Sequence, residues 1–311
     1  MSPVSSLSEI KADWWNSIAT KNALNVPFYS YEWHRTWYKV FGANIECWIF
    51  HDENTLAPLV KTGSTLTFSG GKEICDYMDM VGPDEKKPEA WSHILSYAKS
   101  HDITSIVLPN IPESSTSLSY FQKEKGYVIS TEKEDTTPIL TLPTSWDAYL
   151  SKLPRHNRHE LRRKLKIFQN SHQDSAIIES KNPRDDIHFL FDLMSQDLAK
   201  KNFLDDRMQE FFSKIVTALS REVSLVFLTV RNTRVAAILE FTKDAVTYLY
   251  NSGFNEAEFS GAGFYLKAKA IEQAIAKDVK QYNFLQGGER YKYDLGAHDF
   301  FVYTVTINLA A

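Results

Sequence analysis

The chain has few cysteines and no long apolar run, and each of these features excludes a class of protein. Its two cysteines, Cys47 and Cys75, lie in no spacing pattern with histidine or with each other. We therefore expect buried thiols, with no disulfide framework and no zinc site. No stretch approaches the roughly 18 uninterrupted apolar residues of a membrane-spanning helix. The first residues lack a basic start followed by an apolar run, so we expect no signal peptide and a cytoplasmic location.

The chain also lacks a strong charge of either sign. Its formal net charge is −4, so we expect no broad positive field of the kind that binds nucleic acid. With only 12 glycines, 11 prolines and no low-complexity tract, the composition is that of an ordinary globular protein. A length of 311 residues is too great for one ordinary core and predicts two domains.

Hydrophobic periodicity predicts the same order of elements in each half of the chain: helix, hairpin, strand, helix and strand. The predicted elements are residues 28–41, 45–61, 74–81, 88–100 and 105–108 in the first half, and 211–219, 225–242, 245–250, 264–277 and 282–285 in the second. This repeat pairs Gly82 with Gly253. We therefore expect one domain over residues 1–145 and a second over residues 146–311.

A basic segment at residues 155–168 opens the second half. On a helix, Leu161, Leu165 and Phe168 form one apolar stripe. A second face carries Arg155, Arg158, Arg162 and Lys166. This face is either solvated and balanced by acidic neighbours, or it binds an anionic ligand, in which case Arg158 and Arg162 are the substrate-binding residues.

A pair of glycines, Gly261 and Gly263, precedes a predicted amphipathic helix. Backbone amides at such a helix start favour a pyrophosphate, although plain capping or packing is an alternative. A P-loop is excluded because Gly263 is followed by Phe264, where that motif has a lysine. A dinucleotide fingerprint is excluded because it needs three spaced glycines and an acidic residue after the next strand.

The second half resembles the GNAT acyltransferase superfamily over about residues 147–295. The resemblance is carried by the element order, the glycine pair before a helix, and the terminal run Gly287-Gly288-Glu289-Arg290-Tyr291-Lys292. Within the superfamily the likeness is to the tandem-domain branch that includes the acetyltransferase-like domain of cellulose-biosynthesis proteins, and more distantly to Fem-type aminoacyl transferases. It implies an α+β fold of two tandem domains. In each domain helices flank a mixed sheet that is splayed open between its fourth and fifth strands, and an acyl-CoA lies in the opening.

The resemblance also implies which residues bind the donor. They are Tyr250, Asn251, Ser252 and Gly253 at the end of the fourth strand, and Gly261 and Gly263 at the pyrophosphate. The family often has glutamine or arginine where this chain has Glu258. A carboxylate facing a diphosphate would repel it, so either Glu258 turns away or the donor is not an ordinary CoA thioester.

Acyl transfer to an amine needs a proton acceptor and a proton for the leaving thiolate. Glu289 is the candidate general base, directly or through water, and Tyr291 the candidate acid. Lys292 could bind a carboxylate or phosphate or stabilise negative charge. His298 and Asp299 are alternative bases. No Ser/His/Asp, Cys/His or metal-ligand pattern is present, so we expect no metal.

The favoured hypothesis is a cytoplasmic N-acyltransferase that uses acyl-CoA or acetyl-CoA. Its acceptor would be an amine of a small molecule or peptide-like compound in the cleft between the domains. We expect the first domain to be degenerate, because Gly82 stands there without a paired glycine. One alternative is a Fem-type transferase using aminoacyl-tRNA, the single case in which we expect a nucleic-acid partner. The other is a non-catalytic module that binds an acidic ligand. We expect no membrane partner.

Overall fold

A computed structural model describes residues 2–310 and divides them into two compact units. Unit 1 combines the residues up to Thr136 with those from Phe300 onward, and unit 2 spans Thr137–Asp299. Within residues 2–310, no helix has both the length and the apolar character needed to cross a membrane.

The elements are numbered in chain order. Up to residue 136 they are β1 (Pro3–Val4), α1 (Ala12–Ala19), α2 (Tyr31–Phe41), β2 (Glu46–His51), β3 (Leu56–Thr62), β4 (Thr65–Phe68), α3 (Lys87–Lys99), β5 (Ser105–Pro112), α4 (Thr116–Lys123) and β6 (Val128–Thr136). They continue with β7 (Ile139–Thr141), α5 (Trp146–Lys152), α6 (Arg155–Ser171), β8 (Ser175–Glu179), α7 (Pro183–Met194), α8 (Leu198–Phe203) and α9 (Asp206–Ala218). The last are β9 (Val223–Val230), β10 (Thr233–Lys243), β11 (Val246–Phe254), α10 (Ala262–Ala276), β12 (Gln281–Asn283), α11 (Arg290–Asp294) and β13 (Phe301–Asn308).

Unit 2 is built on a six-stranded mixed sheet in the order β7-β12-β11-β10-β9-β8. Strands β9 and β10 form the predicted hairpin, and Arg231 and Asn232 at its turn both have positive φ, as a tight hairpin turn requires. The parallel ladder between β11 and β12 joins only Val246–Tyr248 to Gln281–Asn283, although β11 runs on to Phe254. The sheet is therefore splayed at this point, which confirms the expected fold class.

Unit 1 has a seven-stranded sheet in the order β1-β2-β3-β4-β5-β13-β6. Its single parallel ladder, between β4 and β5, also spans three residue pairs, starting at Thr65 and Ser105. The C-terminal strand β13 lies between β5 and β6 and pairs antiparallel with both. The division expected at residues 145 and 146 is therefore wrong for residues 300–310, because this strand finds its hydrogen-bonding partners in the first sheet. It is also wrong for residues 137–145, which belong to unit 2, where β7 pairs with β12.

The pairing of Gly82 with Gly253 is also wrong. The strand of unit 1 that pairs in parallel with its neighbour is β4, and it is followed by Gly70 and Gly71, both with positive φ. Residues 74–81, expected to be this strand, form only one isolated bridge, between Val81 and Leu56.

The apolar run at residues 74–81 is buried without being a strand. The side-chain amide of Asn110, at the far end of β5, donates to the carbonyl oxygens of Lys72 and Cys75 at 3.0 and 2.8 Å. Met78 donates its own amide to the Asn110 carbonyl oxygen. The apolar residues of this segment reflect its burial and not a strand. Hydrogen bonds with Asn110 stand in for the β-ladder that the apolar pattern predicts.

Unit 1 also contains a buried ion pair. The Asp79 and Lys87 side chains are 3% and 2% exposed, and their Oδ2 and Nζ atoms lie 2.8 Å apart. The Ser115 and Ser117 hydroxyl groups donate hydrogen bonds of 2.7 and 2.6 Å to the two carboxylate oxygens of Asp79. Burial alone would lower the pKa of Lys87, but Asp79 and Asp84 together raise it above its ordinary value. The charged pair therefore persists inside the unit.

Replacing Lys87 with methionine should leave the Asp79 charge buried and uncompensated. We expect K87M to lower the free energy of unfolding by about 3 kcal/mol in urea titration. The exposed neighbour Lys86 provides the matched control, because K86M removes the same charge one position away. Equal stabilities of the two variants would contradict the assignment of this pair.

At Gly253, β11 packs directly against the end of α7. A β-carbon at this position would lie 2.4 Å from the amide nitrogen of Met194 and 2.6 Å from the carbonyl carbon of Leu193. Since both are backbone atoms at the end of α7, the helix itself would have to move.

We therefore expect Gly253→Ala to destabilise the protein by about 1–3 kcal/mol through overpacking. Thermal or urea unfolding measures the change. Gly126→Ala is the control, because that exposed position would meet only the flexible Glu124 carboxylate at 3.1 Å. A G253A protein as stable as G126A would show that α7 yields more easily than its backbone contacts indicate.

Candidate functional site

The candidate site lies where β11 and β12 separate. Beyond Tyr248, β11 pairs only with β10, so the other edge of its last six residues has no strand partner within residues 2–310. After β12 the chain turns sharply, with positive φ at Leu285 and Gly287, and enters α11 at Arg290. Helix α10 begins at Ala262, after the loop that follows Phe254.

The start of α10 has the features expected of an anion-binding turn. Gly261 is its N-cap residue, with φ +83°, and it provides no side-chain cap. No acceptor within residues 2–310 is found for the amides of Gly263 and Phe264. A β-carbon at Gly263 would lie 2.6 Å from the Phe254 ring, so glycine is required for the helix to sit on that ring. Two backbone N–H groups are thus left to bind an anion.

Glu258, the residue that departs from the family pattern, turns toward Asn255. Its carboxylate accepts a hydrogen bond of 3.2 Å from the Asn255 side-chain amide, and its backbone amide donates one to the Asn255 Oδ1. The carboxylate that contacts the glycine loop is instead Glu256. Its Oε1 accepts from the Gly261 amide and the Ser260 hydroxyl, each at 3.0 Å. Nothing in the sequence singles out Glu256, because no spacing rule separates it from other loop glutamates.

The donor-binding residues predicted on β11 differ in their contacts. The Tyr250 ring packs edge-on against Phe212 and Phe241, with centroids 5.6 and 5.4 Å away. The Ser252 carbonyl oxygen accepts a hydrogen bond of 2.6 Å from the Lys200 Nζ. Asn251, like both of these residues, is half-buried, and Gly253 is buried.

A cavity of about 260 Å³ adjoins the end of β11. Its lining residues are Leu193, Met194, Gln196, Asp197, Lys200, Gly253, Phe254, Asn255, Glu256 and Ala257. Helices α7 and α8 form one wall, and the loop after β11 forms the other. Lys200 is therefore a site residue that the sequence analysis missed, because a lysine on a short helix is usually solvated.

The basic helix α6 contacts the site through a residue outside its predicted basic face. Arg158 donates to the carbonyl oxygens of Leu150 and Ser151 at the end of α5, at 3.5 and 3.4 Å. Arg162 is exposed. Lys164 places its Nζ 4.4 Å from the centroid of the Phe264 ring, at the start of α10. Its position three residues after Leu161 was the available signal, because such residues flank the apolar stripe.

Lys292 holds the turn after β12. It is 1% exposed, and its Nζ donates to the carbonyl oxygens of Leu285, Gln286 and Gly287 at 3.1, 2.7 and 2.8 Å. The same Nζ lies 2.9 Å from Glu289 Oε2. These four acceptors already exceed the three protons of an ammonium group. Lys292 therefore stabilises the turn, and its ammonium protons are already engaged there.

Glu289 and Tyr291 have opposite pKa shifts. Burial would raise the pKa of Glu289, but the charge and hydrogen bond of Lys292 outweigh it and hold the pKa below the ordinary value. Burial, followed by the Glu289 charge, raises the pKa of Tyr291, so its phenol is protonated at neutral pH. The pair therefore presents an ionised carboxylate and a proton donor.

The structure brings one further cation into the opening. Lys267, on α10, is 5% exposed, and its Nζ lies 4.5 Å from the Tyr291 ring centroid and 4.9 Å from that of Phe254. Burial, and then the charge of Lys200, lowers the pKa of Lys267 to about 7. Nothing in the sequence marks Lys267 as a site residue, since lysine fits the polar face of any amphipathic helix.

The alternative bases have other partners. Asp299 accepts a hydrogen bond of 2.6 Å from the Tyr293 hydroxyl, and the His298 backbone pairs with Ile139.

Both cysteines are free thiols; Cys75 is buried and Cys47 is half-buried. Within residues 2–310, no three His, Cys, Asp or Glu side chains are grouped so that they could hold a metal ion.

Comparison with known proteins agrees with this geometry. Residues 155–293 match the family model of an acetyltransferase (GNAT) domain. No curated protein sequence matches the chain significantly.

Solved structures of the same fold cover nearly the whole chain. FemX superposes with a TM-score of 0.63 at 12% identity, over 96% of this chain and 94% of its own. The C-terminal domain of a putative lysylphosphatidylglycerol synthetase from Agrobacterium fabrum gives 0.63 at 10% identity, over 97% and 92%. A tandem GNAT protein from the clavulanic acid biosynthesis pathway gives 0.50 at 10% identity, over 100% and 98%.

These identities show a shared fold and no more. The family match and the splayed sheet coincide in unit 2, at the strands and the glycine loop described above. Residues 155–293 therefore match a GNAT domain, within a chain whose fold is similar to that of a tandem GNAT protein.

Proposed function

We propose that this protein is an N-acyltransferase that moves an acyl group from an acyl-CoA to an amine of a small-molecule or peptide-like acceptor. The observation that carries the proposal is the opening between β11 and β12, flanked by a helix start with no side-chain cap. A thioester arm needs such a slot because its amide groups can pair with the unpaired edge of a strand.

The CoA diphosphate would lie at the start of α10. There the amides of Gly263 and Phe264 have no acceptor within residues 2–310, and the Lys164 ammonium lies beside the Phe264 ring. The helix dipole adds to the attraction, by about 0.3–1 kcal/mol for each anionic contact. Because Glu256 already occupies the Gly261 amide, the diphosphate would have to bind beside that carboxylate or displace it.

In the proposed reaction, the amine nitrogen attacks the thioester carbon, the carbon–sulfur bond breaks, and the CoA thiolate takes up a proton. Tyr291, protonated at neutral pH, would donate that proton. Glu289, ionised and exposed beside Lys292, would accept the proton lost by the amine, directly or through water. Lys292 contributes by holding the turn that carries both residues.

Donor binding tests the first half of this proposal. Acetyl-CoA and longer acyl-CoAs should bind the wild-type protein in isothermal titration calorimetry. Gly261→Val should weaken that binding about tenfold, because a β-branched residue is strained at φ +83° and the loop must shift.

Gly63→Val is the matched control for that experiment. Gly63 has φ +60° and, like Gly261, an open space where its β-carbon would be, but it lies in unit 1. Equal weakening by both variants would assign the effect to general strain. A folded wild-type protein that binds no CoA thioester would overturn the proposal.

Replacing Tyr291 with phenylalanine tests the second half. We expect Y291F to lower the rate of thiol release from the bound acyl-CoA, measured against a panel of amines, by about 100-fold, with donor affinity unchanged. Y293F removes a hydroxyl that bonds to Asp299 and should leave the rate near wild type. A fully active Y291F protein would exclude Tyr291 as the proton donor.

A further inference from the structure

Lys267 has a buried side chain whose ammonium group finds no hydrogen-bonding partner within residues 2–310. It is 95% buried, since 5% of its surface is exposed, and no hydrogen bond or ion pair within residues 2–310 involves its Nζ. An unpaired charge in this environment costs several kcal/mol. A group retained at such a cost is typical of a binding site.

Its immediate neighbours supply attraction but no acceptor. The rings of Tyr291 and Phe254 lie 4.5 and 4.9 Å from the Nζ. Aromatic faces attract a cation, each by about 0.5–2 kcal/mol, yet they leave its three protons without hydrogen bonds. The side chain lies between the end of β11 and the segment after β12, which places it in the opening.

The charged groups that face Lys267 do not neutralise it. They are Lys200 on α8, Glu256 before α10, and Glu289 and Lys292 after β12. Glu289 is paired with Lys292, and Glu256 accepts from the Gly261 amide and the Ser260 hydroxyl. Each nearby carboxylate therefore already has a partner.

Lys200 is a second cation with unused protons. Its Nζ donates one hydrogen bond, to the Ser252 carbonyl oxygen, and lies 5.7 Å from the same Phe254 ring. It also lines the cavity at the end of β11. Lys200 and Lys267 thus flank one aromatic ring, with five of their six ammonium protons not engaged.

We propose that Lys267 and Lys200 form a carboxylate-binding subsite at Phe254, which holds an anionic end of the substrate. The carboxylate belongs either to a dicarboxylic acyl group on the donor or to the acceptor. This inference rests on the proposed acyltransferase function and narrows its substrate class. The same two lysines disfavour a cationic acyl group, such as an α-aminoacyl group, because like charges would meet in a buried site.

The subsite has a characteristic pH dependence. The pKa of free Lys267 is lowered to about 7, so most molecules carry a neutral amine at pH 8. A bound carboxylate favours the charged form and raises that pKa, so binding takes up a proton at pH 8. Affinity is therefore highest below pH 7 and falls as the pH rises above it.

Free succinate is the probe for the subsite itself. In NMR spectra of protein labelled at the lysine ε-carbons, succinate should shift the Lys267 resonance, with affinity on the order of millimolar. Calorimetry in buffers of different ionisation enthalpy should show proton uptake at pH 8. Lys267→Met should weaken succinate binding by at least about tenfold and abolish the proton uptake.

Two measures guard against a trivial loss of binding. K267M removes an uncompensated buried charge, so its melting temperature should equal or exceed that of the wild type. Lys269→Met is the matched control on the same helix, because Lys269 is paired with Glu272 at 2.7 Å and contacts no site residue named above. The succinate titration of the wild-type protein stands even if a variant does not fold.

A pair of donors locates the carboxylate. Succinyl-CoA and butyryl-CoA have the same chain length and differ in the terminal carboxylate. Tighter binding of succinyl-CoA that is lost in K267M assigns the carboxylate to the acyl group. Equal binding of both, with succinate still bound, assigns it to the acceptor. The subsite is overturned if succinate does not shift the Lys267 resonance, or if its binding takes up no proton at pH 8. If no CoA thioester binds at all, the proposed function itself is overturned.

Discussion

The short parallel ladder between β11 and β12 is the constraint on which the candidate site depends. It ends at Tyr248 and Asn283, and from there the two strands lead to different structures: β11 to the glycine loop and α10, β12 to the turn before α11. Lys292 ties three carbonyl oxygens of that turn together from a position of almost complete burial. The opening therefore has two preorganised sides, and groups that belong to distant parts of the sequence meet there.

The electrostatics of the opening divide its charged residues into two kinds. Lys292 and Glu289 satisfy each other and fix local structure, and Glu256 fixes the glycine loop. Lys267, by contrast, is buried with no protein acceptor, and Lys200 uses one of its three protons. Buried charges in proteins are normally paired, and this is why we propose that a ligand binds at the second kind. This distinction depends on contacts alone, since all these residues look alike in a sequence.

The two units share one sheet pattern but use it differently. Each has a single three-residue parallel ladder, β4 with β5 and β11 with β12, next to a strand supplied from the other half of the chain. In unit 1 the chain after β4 carries Gly70 and Gly71 and then hydrogen-bonds to Asn110 through a segment without helix. In unit 2 the chain after β11 leads through one short loop into a helix start without a side-chain cap. That unit 1 is degenerate stays a prediction.

The sequence by itself determined several elements of unit 2, because their signals are local. The hairpin turn at Arg231 and Asn232, the glycines before α10 and the apolar stripe of α6 each follow from neighbouring residues. Tertiary structure decided what depends on residues far apart in the chain. Strand β13 joins the first sheet because its hydrogen-bonding partners are there, and the apolar run at residues 74–81 is buried without a ladder. Three helix lysines converge on the opening: Lys164, Lys200 and Lys267. In the sequence they look like ordinary surface lysines. Only packing distinguishes them, because burial and missing partners are properties of the folded chain.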